Sequence, residues 1–168
     1  MTLTVLNDLP AVVARQEFLR CCESVPWASK MIEKRPFKSN AELFETAAAL
    51  WAGLKEEDWL EAFAGHPKIG DVKSLAKKFS SIRQWASGEQ SGVDVATDEV
   101  LQRLAGGNSN YEKKFGFIFI VCATGKSAAE MLDLLNQRLP NDRGKELRIA
   151  AGEQEKITKI RLEKLIGS

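Results

Sequence analysis

Apolar positions recur along this chain with a period near 3.6, which predicts a succession of helices joined by short loops. Ser39 and Glu42 form a capping box opening a helix over residues 41–54, an alanine-rich run with Leu43, Phe44, Ala47, Leu50, Trp51 and Leu54 on one side. Upstream, Asn7 or Asp8 ahead of Pro10 predicts the start of a first helix bearing Ala11, Val12, Phe18, Leu19 and Cys22 and ending before Pro26. Glu56–Ala64 carries Trp59, Leu60 and Phe63, and beyond it Val72, Leu75, Ala76 and Phe79 recur at helical spacing beside Lys73, Lys77 and Lys78, a solvated face. Thr97 caps a helix with Val100, Leu101 and Leu104 that Gly106-Gly107-Asn108 interrupts or ends. Ser127 and Glu130 repeat the capping box for a helix through Leu139, and Asn141 or Asp142 opens a last helix to about Leu165. The expected fold is all-α, a single-domain bundle of about seven to nine helices over residues 1–168.

Two stretches depart from this pattern. Phe115 to Ala123 is apolar throughout and rich in β-branched and aromatic residues, as a buried strand would be. No second comparable run exists to pair with it, so a buried helix or an extended loop is expected. Thr124-Gly125-Lys126-Ser127 imitates the end of a phosphate-binding loop, but the spacing fails, because the motif needs a glycine where this chain has Ile120.

In the last helix, at about 100° per residue, Leu147, Ala150, Gln154, Ile157, Arg161 and Leu165 fall on one stripe. Arg161 is thereby placed in the middle of an apolar face, while Lys156, Lys159 and Glu163 point elsewhere. An inward guanidinium must be paired with a buried carboxylate or must serve an anion, and both readings stand.

Composition narrows the classes of function. The chain has 168 residues, enough for one self-sufficient core, and 24 basic against 23 acidic residues, which implies no global attraction to nucleic acid. Cys21, Cys22 and Cys122 are odd in number, two are adjacent and no CxxC occurs, which fits a reducing compartment. With a single histidine no zinc site is expected. The N-terminal MTLTVLNDLPAVVARQ lacks the charged start, apolar core and small-residue cleavage site of a signal and is expected to be part of the folded protein. No window approaches the roughly 20 apolar residues that span a bilayer, so a soluble chain is expected.

The single histidine, His66, stands between Gly65 and Pro67 in Gly65-His66-Pro67-Lys68-Ile69-Gly70-Asp71. A residue before proline is pushed out of the α region, so His66 is expected to end the preceding segment and present its ring from a turn. There it is either a surface histidine favoured at a helix C-terminus or a group placed for proton transfer.

Several blocks together identify a family. HPKIG at 66–70, GEQSG around Glu89 and Gln90, NxxYxxKFGFxFIxCATGKS from Asn108 to Ser127, RLxN from Arg138 to Asn141 and AAxEQxKITxIRLEKL at the end resemble the 2-oxo-4-hydroxy-4-carboxy-5-ureidoimidazoline (OHCU) decarboxylases of urate breakdown. The resemblance covers nearly the whole chain and is weakest in the first 60 residues. It implies an all-helical carboxy-lyase, commonly a homodimer, that converts OHCU to (S)-allantoin and CO2. It further implies His66 as the catalytic acid or base beside Pro67, and Glu89 and Gln90 holding the substrate, with Glu89 also catalytic. Arg161 would contact the substrate, and the backbone of Phe119, Ile120, Val121, Cys122 and Ala123 would contribute to its binding. Two departures from the family pattern occur: Ala86 stands where many members have serine, with Ser87 beside it as a replacement hydroxyl, and Ile118 stands where many have proline.

The implied reaction explains why no metal or organic cofactor is expected. The carboxylate that leaves is attached to a ring carbon next to a C=N bond, so the substrate is its own electron sink. A histidine suits the proton transfers, a nearby glutamate can orient it, and an arginine fork suits a carboxylate or ureido oxygen. The competing class is a non-enzymatic helical interaction module, argued from the lysines at 73–78 and from tryptophans that look exposed. The chain ends Leu165-Ile166-Gly167-Ser168, without the targeting tripeptide of peroxisomal proteins, so a cytoplasmic protein is expected, with a small-molecule partner and neither nucleic acid nor membrane.

Overall fold

Side-chain oxygens ahead of apolar runs start most of the helices. A computed structural model of the chain describes residues 1–67, 73–77 and 98–167. Helix α1 (Leu3–Asp8) opens on Thr2, α2 (Ala11–Cys21) follows Pro10, and α3 (Val25–Glu33) opens on Ser24 with proline in its first turn. In α4 (Asn40–Ala52) Ser39 accepts from the Glu42 N–H at 3.1 Å, and α5 (Glu56–Ala64) follows after a three-residue connection. Residues 73–77 are helical. Next come α6 (Asp98–Phe115), α7 (Ala128–Arg138) and α8 (Arg143–Ile166). Both bonds of the Ser127–Glu130 capping box are made, and Asp142 accepts from the Lys145 N–H at 2.9 Å, which holds its carboxyl below the ordinary range. No strand occurs among the described residues, so the all-α expectation holds.

The first 35 residues differ most from expectation. Asn7 caps nothing, because its side chain accepts from the Phe37 N–H at 2.9 Å and donates to the Phe37 carbonyl at 2.8 Å. It acts instead as a two-bond clasp on the loop ahead of α4, and α1 fits upstream of it, burying Leu6. Pro26 does not merely stop a helix but sits inside the first turn of α3, where the N–H it lacks would be unpaired anyway.

The described chain groups into two compact units, Met1–His66 with Ala151–Ser168, and Pro67–Ala150, so that α8 contributes its start to one and the rest to the other. In the first unit the core gathers Phe18, Trp27, Met31, Leu43, Trp51 and Leu162, all buried. Its indoles are satisfied: Trp27 donates to the Ala47 carbonyl, Trp51 to Ala151 and Trp59 to Trp51, at 3.1, 2.9 and 2.9 Å. Trp27 and Trp51 are therefore core residues, which removes two of the tryptophans that favoured an interaction module.

In the second unit Leu75, Leu101, Leu104, Met131, Leu132 and Leu135 form one cluster. Helix α6 passes unbroken through Gly106-Gly107, contrary to the expected interruption. The reason is packing: a Cβ on Gly107 would lie 2.7 Å from Leu135 Cδ2, so the missing side chain lets α7 approach. The turn before α7 does need its glycine, since Gly125 has φ +75°.

The buried line of α8 runs Leu147, Ala150, Gln154, Thr158, Leu162 and Ile166. Most of its steps are of four residues, the ridge along which helices commonly pack. Arg161 accordingly lies half-buried at the edge of this face and not in its middle. No described helix is long and apolar enough to cross a membrane.

The two neighbouring glycines of α6 separate propensity from packing. Nothing lies within 4 Å of a Cβ on Gly106, so Gly106→Ala should stabilise by about 0.4–1 kcal/mol. Gly107→Ala drives a methyl into fully buried Leu135 and should destabilise by about 1–3 kcal/mol. Chemical denaturation of the two variants measures both, and equal shifts would refute the packing account of Gly107.

Candidate active site

The last turn of α5 tightens before it ends: the N–H groups of Gly65 and His66 reach the carbonyls of Ala62 and Phe63, three residues back, at 3.3 and 3.2 Å. Pro67 then prevents continuation, so His66 sits in a turn as expected. Gly65 is needed there for space and not for its backbone angles, because a Cβ would lie 2.2 Å from Glu23 Oε2 and 2.7 Å from Glu23 Cβ.

His66 Nε2 hydrogen-bonds Gln154 Oε1. Gln154 is only 1 % exposed, and its amide nitrogen donates to Thr158 Oγ1 at 3.1 Å. Burial pushes the Cys22 thiol up to about 11, with the Thr158 hydroxyl pulling the other way. Burial likewise raises Cys21 to about 12, with Arg161 pulling the other way. Both thiols therefore stay protonated at neutral pH and are poor nucleophiles.

Arg161 belongs to the same unit. Its guanidinium makes a long 3.4 Å bond to the Cys21 carbonyl, and no carboxylate lies within ion-pair distance of it among the described residues. Of the two readings of an inward arginine, the buried carboxylate is thus not met among those residues.

In the second unit the apolar run forms an irregular segment, residues 116–127, between α6 and α7. Cations take carbonyls in and just before it: Arg138 donates to the buried Ile120 carbonyl at 2.7 Å, and Arg143 and Lys126 donate to the part-buried carbonyls of Phe115 and Cys122 at 3.2 and 2.8 Å. Arg138 is 9 % exposed in its side chain and pairs with the fully buried carboxylate of Glu146. Glu146 also accepts from the Tyr111 hydroxyl at 2.6 Å and the Asn141 amide at 3.1 Å. Burial, reinforced by this bond to Glu146, raises the Tyr111 phenol far above its ordinary range. The Arg138 guanidinium carbon lies 4.6 Å from the Phe119 ring centroid and 5.8 Å from that of Tyr111.

Of the expected site residues, His66 and Arg161 fall in the first unit and Pro67 and Phe119 to Ala123 in the second. Ser87, Glu89 and Gln90, with the doubtful Ala86, lie outside the described residues. Sequence reasoning missed Gln154 and Thr158, bonded in series behind His66, and the buried set of Tyr111, Arg138 and Glu146 beside the apolar run. A signal existed for four of them: Tyr111, Arg138, Gln154 and Thr158 all stand at named positions of the blocks quoted above, and Gln154 also stood on the inward stripe of the last helix.

The architecture defines an all-helical class of protein that is also seen in a crystal structure of (S)-allantoin synthase, with a TM-score of 0.75 at 18 % identity over 99 % of this chain and 54 % of that one. At that identity the likeness concerns the fold alone. The OHCU decarboxylase family profile matches residues 7–163, and the chain belongs to that family. It is similar to the uric acid degradation bifunctional protein TTL of Arabidopsis thaliana, 40 % identical over 91 % of this chain, and spans about half of that relative, 47 % of its length. It is also similar to the 2-oxo-4-hydroxy-4-carboxy-5-ureidoimidazoline decarboxylase of Halalkalicoccus jeotgali, 28 % identical over 85 % of this chain and 79 % of the relative. A crystal structure of OHCU decarboxylase in the presence of (S)-allantoin matches with a TM-score of 0.71 at 39 % identity, over 90 % of this chain and 98 % of that one.

The buried Arg138–Glu146 pair generates a test of its own. Glu146→Leu strands a guanidinium and leaves the Tyr111 O–H without its acceptor, and should cost about 3–5 kcal/mol, whereas Arg138→Met with Glu146→Leu removes both charges and should recover part of that loss. Urea unfolding of the single and double variants checks it, and simple additivity of the two single losses would contradict it.

Proposed function

We propose that this chain decarboxylates OHCU to (S)-allantoin and CO2 as a cofactor-independent carboxy-lyase of urate degradation. The observation that carries the reading is the setting of His66, the single histidine of a family member, whose ring stands in a turn and is anchored by a buried amide. In the proposed reaction the C–C bond to the carboxylate breaks, its electrons form the ring C=C of an enol, and the imine nitrogen takes up the displaced pair. The nitrogen is protonated, and as a proton is delivered to one face of the ureido-bearing carbon the enol O–H gives up its own and the ring C=O forms, a net uptake of one proton; His66 is the acid or base that moves the proton at carbon.

Arg161 supplies the planar cationic fork for the substrate's carboxylate or ureido oxygen, a role supported by its lack of a carboxylate partner among the described residues. On the resemblance alone the proposal extends to Pro67, Ser87, Glu89 and Gln90, with Glu89 assisting His66, and to the backbone of Phe119 to Ala123. It also extends to a homodimer in the cytoplasm. Three free, buried cysteines are compatible with that compartment, and sedimentation of the purified chain measures the oligomeric state.

His66→Asn and Arg161→Ala should fail differently. His66→Asn removes the titrating group, so formation of (S)-allantoin from freshly generated substrate should fall by roughly 10²-fold or more with little loss of analogue binding. Arg161→Ala should lower analogue affinity by about 2–4 kcal/mol while the free protein stays folded. Thermal unfolding without ligand is the control, and a large stability loss in Arg161→Ala with unchanged affinity would remove Arg161 from the site. A wild-type chain that leaves the rate and chirality of allantoin formation at the uncatalysed level would instead be an interaction module.

A further inference from the structure

A string of polar side chains runs from His66 into an otherwise apolar core, and the roles implied by the family leave its inner members without one. We propose that Gln154, held by Thr158, is a positioning residue that fixes neutral His66 as the Nε2–H tautomer and so makes Nδ1 the nitrogen that exchanges the proton. The tautomer assignment stands on the hydrogen bonds alone, and only its last clause rests on the reading of His66 as acid or base.

The sense of each bond follows from the Gln154 amide: its nitrogen only donates, and it donates to Thr158 Oγ1 at 3.1 Å. One turn apart on α8, Gln154 and Thr158 share a face, so this bond holds the amide in one orientation. The amide oxygen is thereby turned to His66. An amide oxygen only accepts, so Nε2 must carry a hydrogen, and a neutral imidazole has one. Gln154 is 1 % exposed and Thr158 6 %, so both are buried at a desolvation cost that a leucine and a valine would avoid. That cost is offset only when every polar atom of the string is bonded, which requires the ring at its outer end. Among the described residues, the charged groups placed beside this string include Glu23, packed on Gly65, and Arg161, whose guanidinium reaches the Cys21 carbonyl.

Because the chain contains one histidine, selective labelling with ¹⁵N-histidine gives a single imidazole to observe. Above its titration midpoint the intact protein should show a protonated Nε2 and a bare Nδ1, and the opposite tautomer would overturn the proposal. Gln154→Glu places a carboxylate on Nε2 and should raise the midpoint by about one pH unit or more. Gln154→Leu removes the acceptor and should lower the midpoint and mix the tautomers. Opposite shifts from one position are not what a merely structural residue gives, and unchanged tautomer and midpoint in both variants would refute the positioning role. Should Gln154→Leu not fold, Thr158→Val frees the amide and should also mix the tautomers, while Thr158→Ser should retain the wild-type form. If the tautomer and midpoint shift as expected while the pH profile of kcat/KM stays in place, the assignment of the tautomer survives and His66 is not the acid or base.

Discussion

A buried backbone carbonyl must find a donor, and the described residues of the second unit meet that requirement without a neighbouring strand. The run from Phe115 to Ala123 has the composition of a central strand, yet no strand pairs with it among the described residues. Arg143, Arg138 and Lys126 take the carbonyls that a partner strand would have taken. Each solution creates the next problem. A buried guanidinium is costly by itself, so Arg138 needs Glu146, and a buried carboxylate has more lone pairs than one arginine fills, so Glu146 needs Tyr111 and Asn141. The outcome ties α6, the apolar run, α7 and the start of α8 into one hydrogen-bonded set. The faces of Tyr111 and Phe119 then cover the cation.

The first unit meets a similar demand with neutral groups. Gln154, Thr158 and Cys22 are uncharged, and burial keeps the thiol so. The difference matters for a residue proposed to change charge in each turnover. A carboxylate bonded to His66 from the core would hold the imidazolium and resist giving up its proton, whereas an amide oxygen accepts from Nε2–H in both charge states. Gln154 can therefore hold the ring throughout the cycle while favouring the charged form less than a carboxylate would.

Local chemistry was the most legible part of the sequence. Ser39 with Glu42 and Ser127 with Glu130 start helices where the capping rule puts them, and Glu56–Ala64 has the expected bounds, because these signals act within one turn. What failed depended on residues distant in sequence. Asn7 was spent on Phe37, thirty positions away, and Gly107 was a packing glycine only because Leu135 arrives opposite it. Arg161 moved to the edge of its face because burial in α8 follows the neighbours that pack on it and not the mean direction of its apolar residues. For the site, the turn around His66 was legible, since Pro67 acts on its immediate neighbour. Its anchor was not, because a lone glutamine on an apolar stripe does not name its partner, here 88 positions away.

The last helix shows why such anchors escape a periodicity argument. At about 1.5 Å per residue its 24 residues extend some 36 Å, and they divide between two units with different demands. Glu146 must reach Arg138, while Gln154, Thr158 and Leu162 must fill the first core, so the buried line mixes carboxylate, amide, hydroxyl and alkyl groups. Averaged over such a line, hydrophobicity points nowhere in particular. Polar residues at core positions are informative for that reason: each carries a desolvation cost that only a definite partner offsets. In the proposed reaction the substrate takes up its own electrons, which leaves the protein little to supply beyond placement of a few protons and charges. Buried positions such as Gln154, which touch no substrate in the proposed scheme, are then where placement is decided.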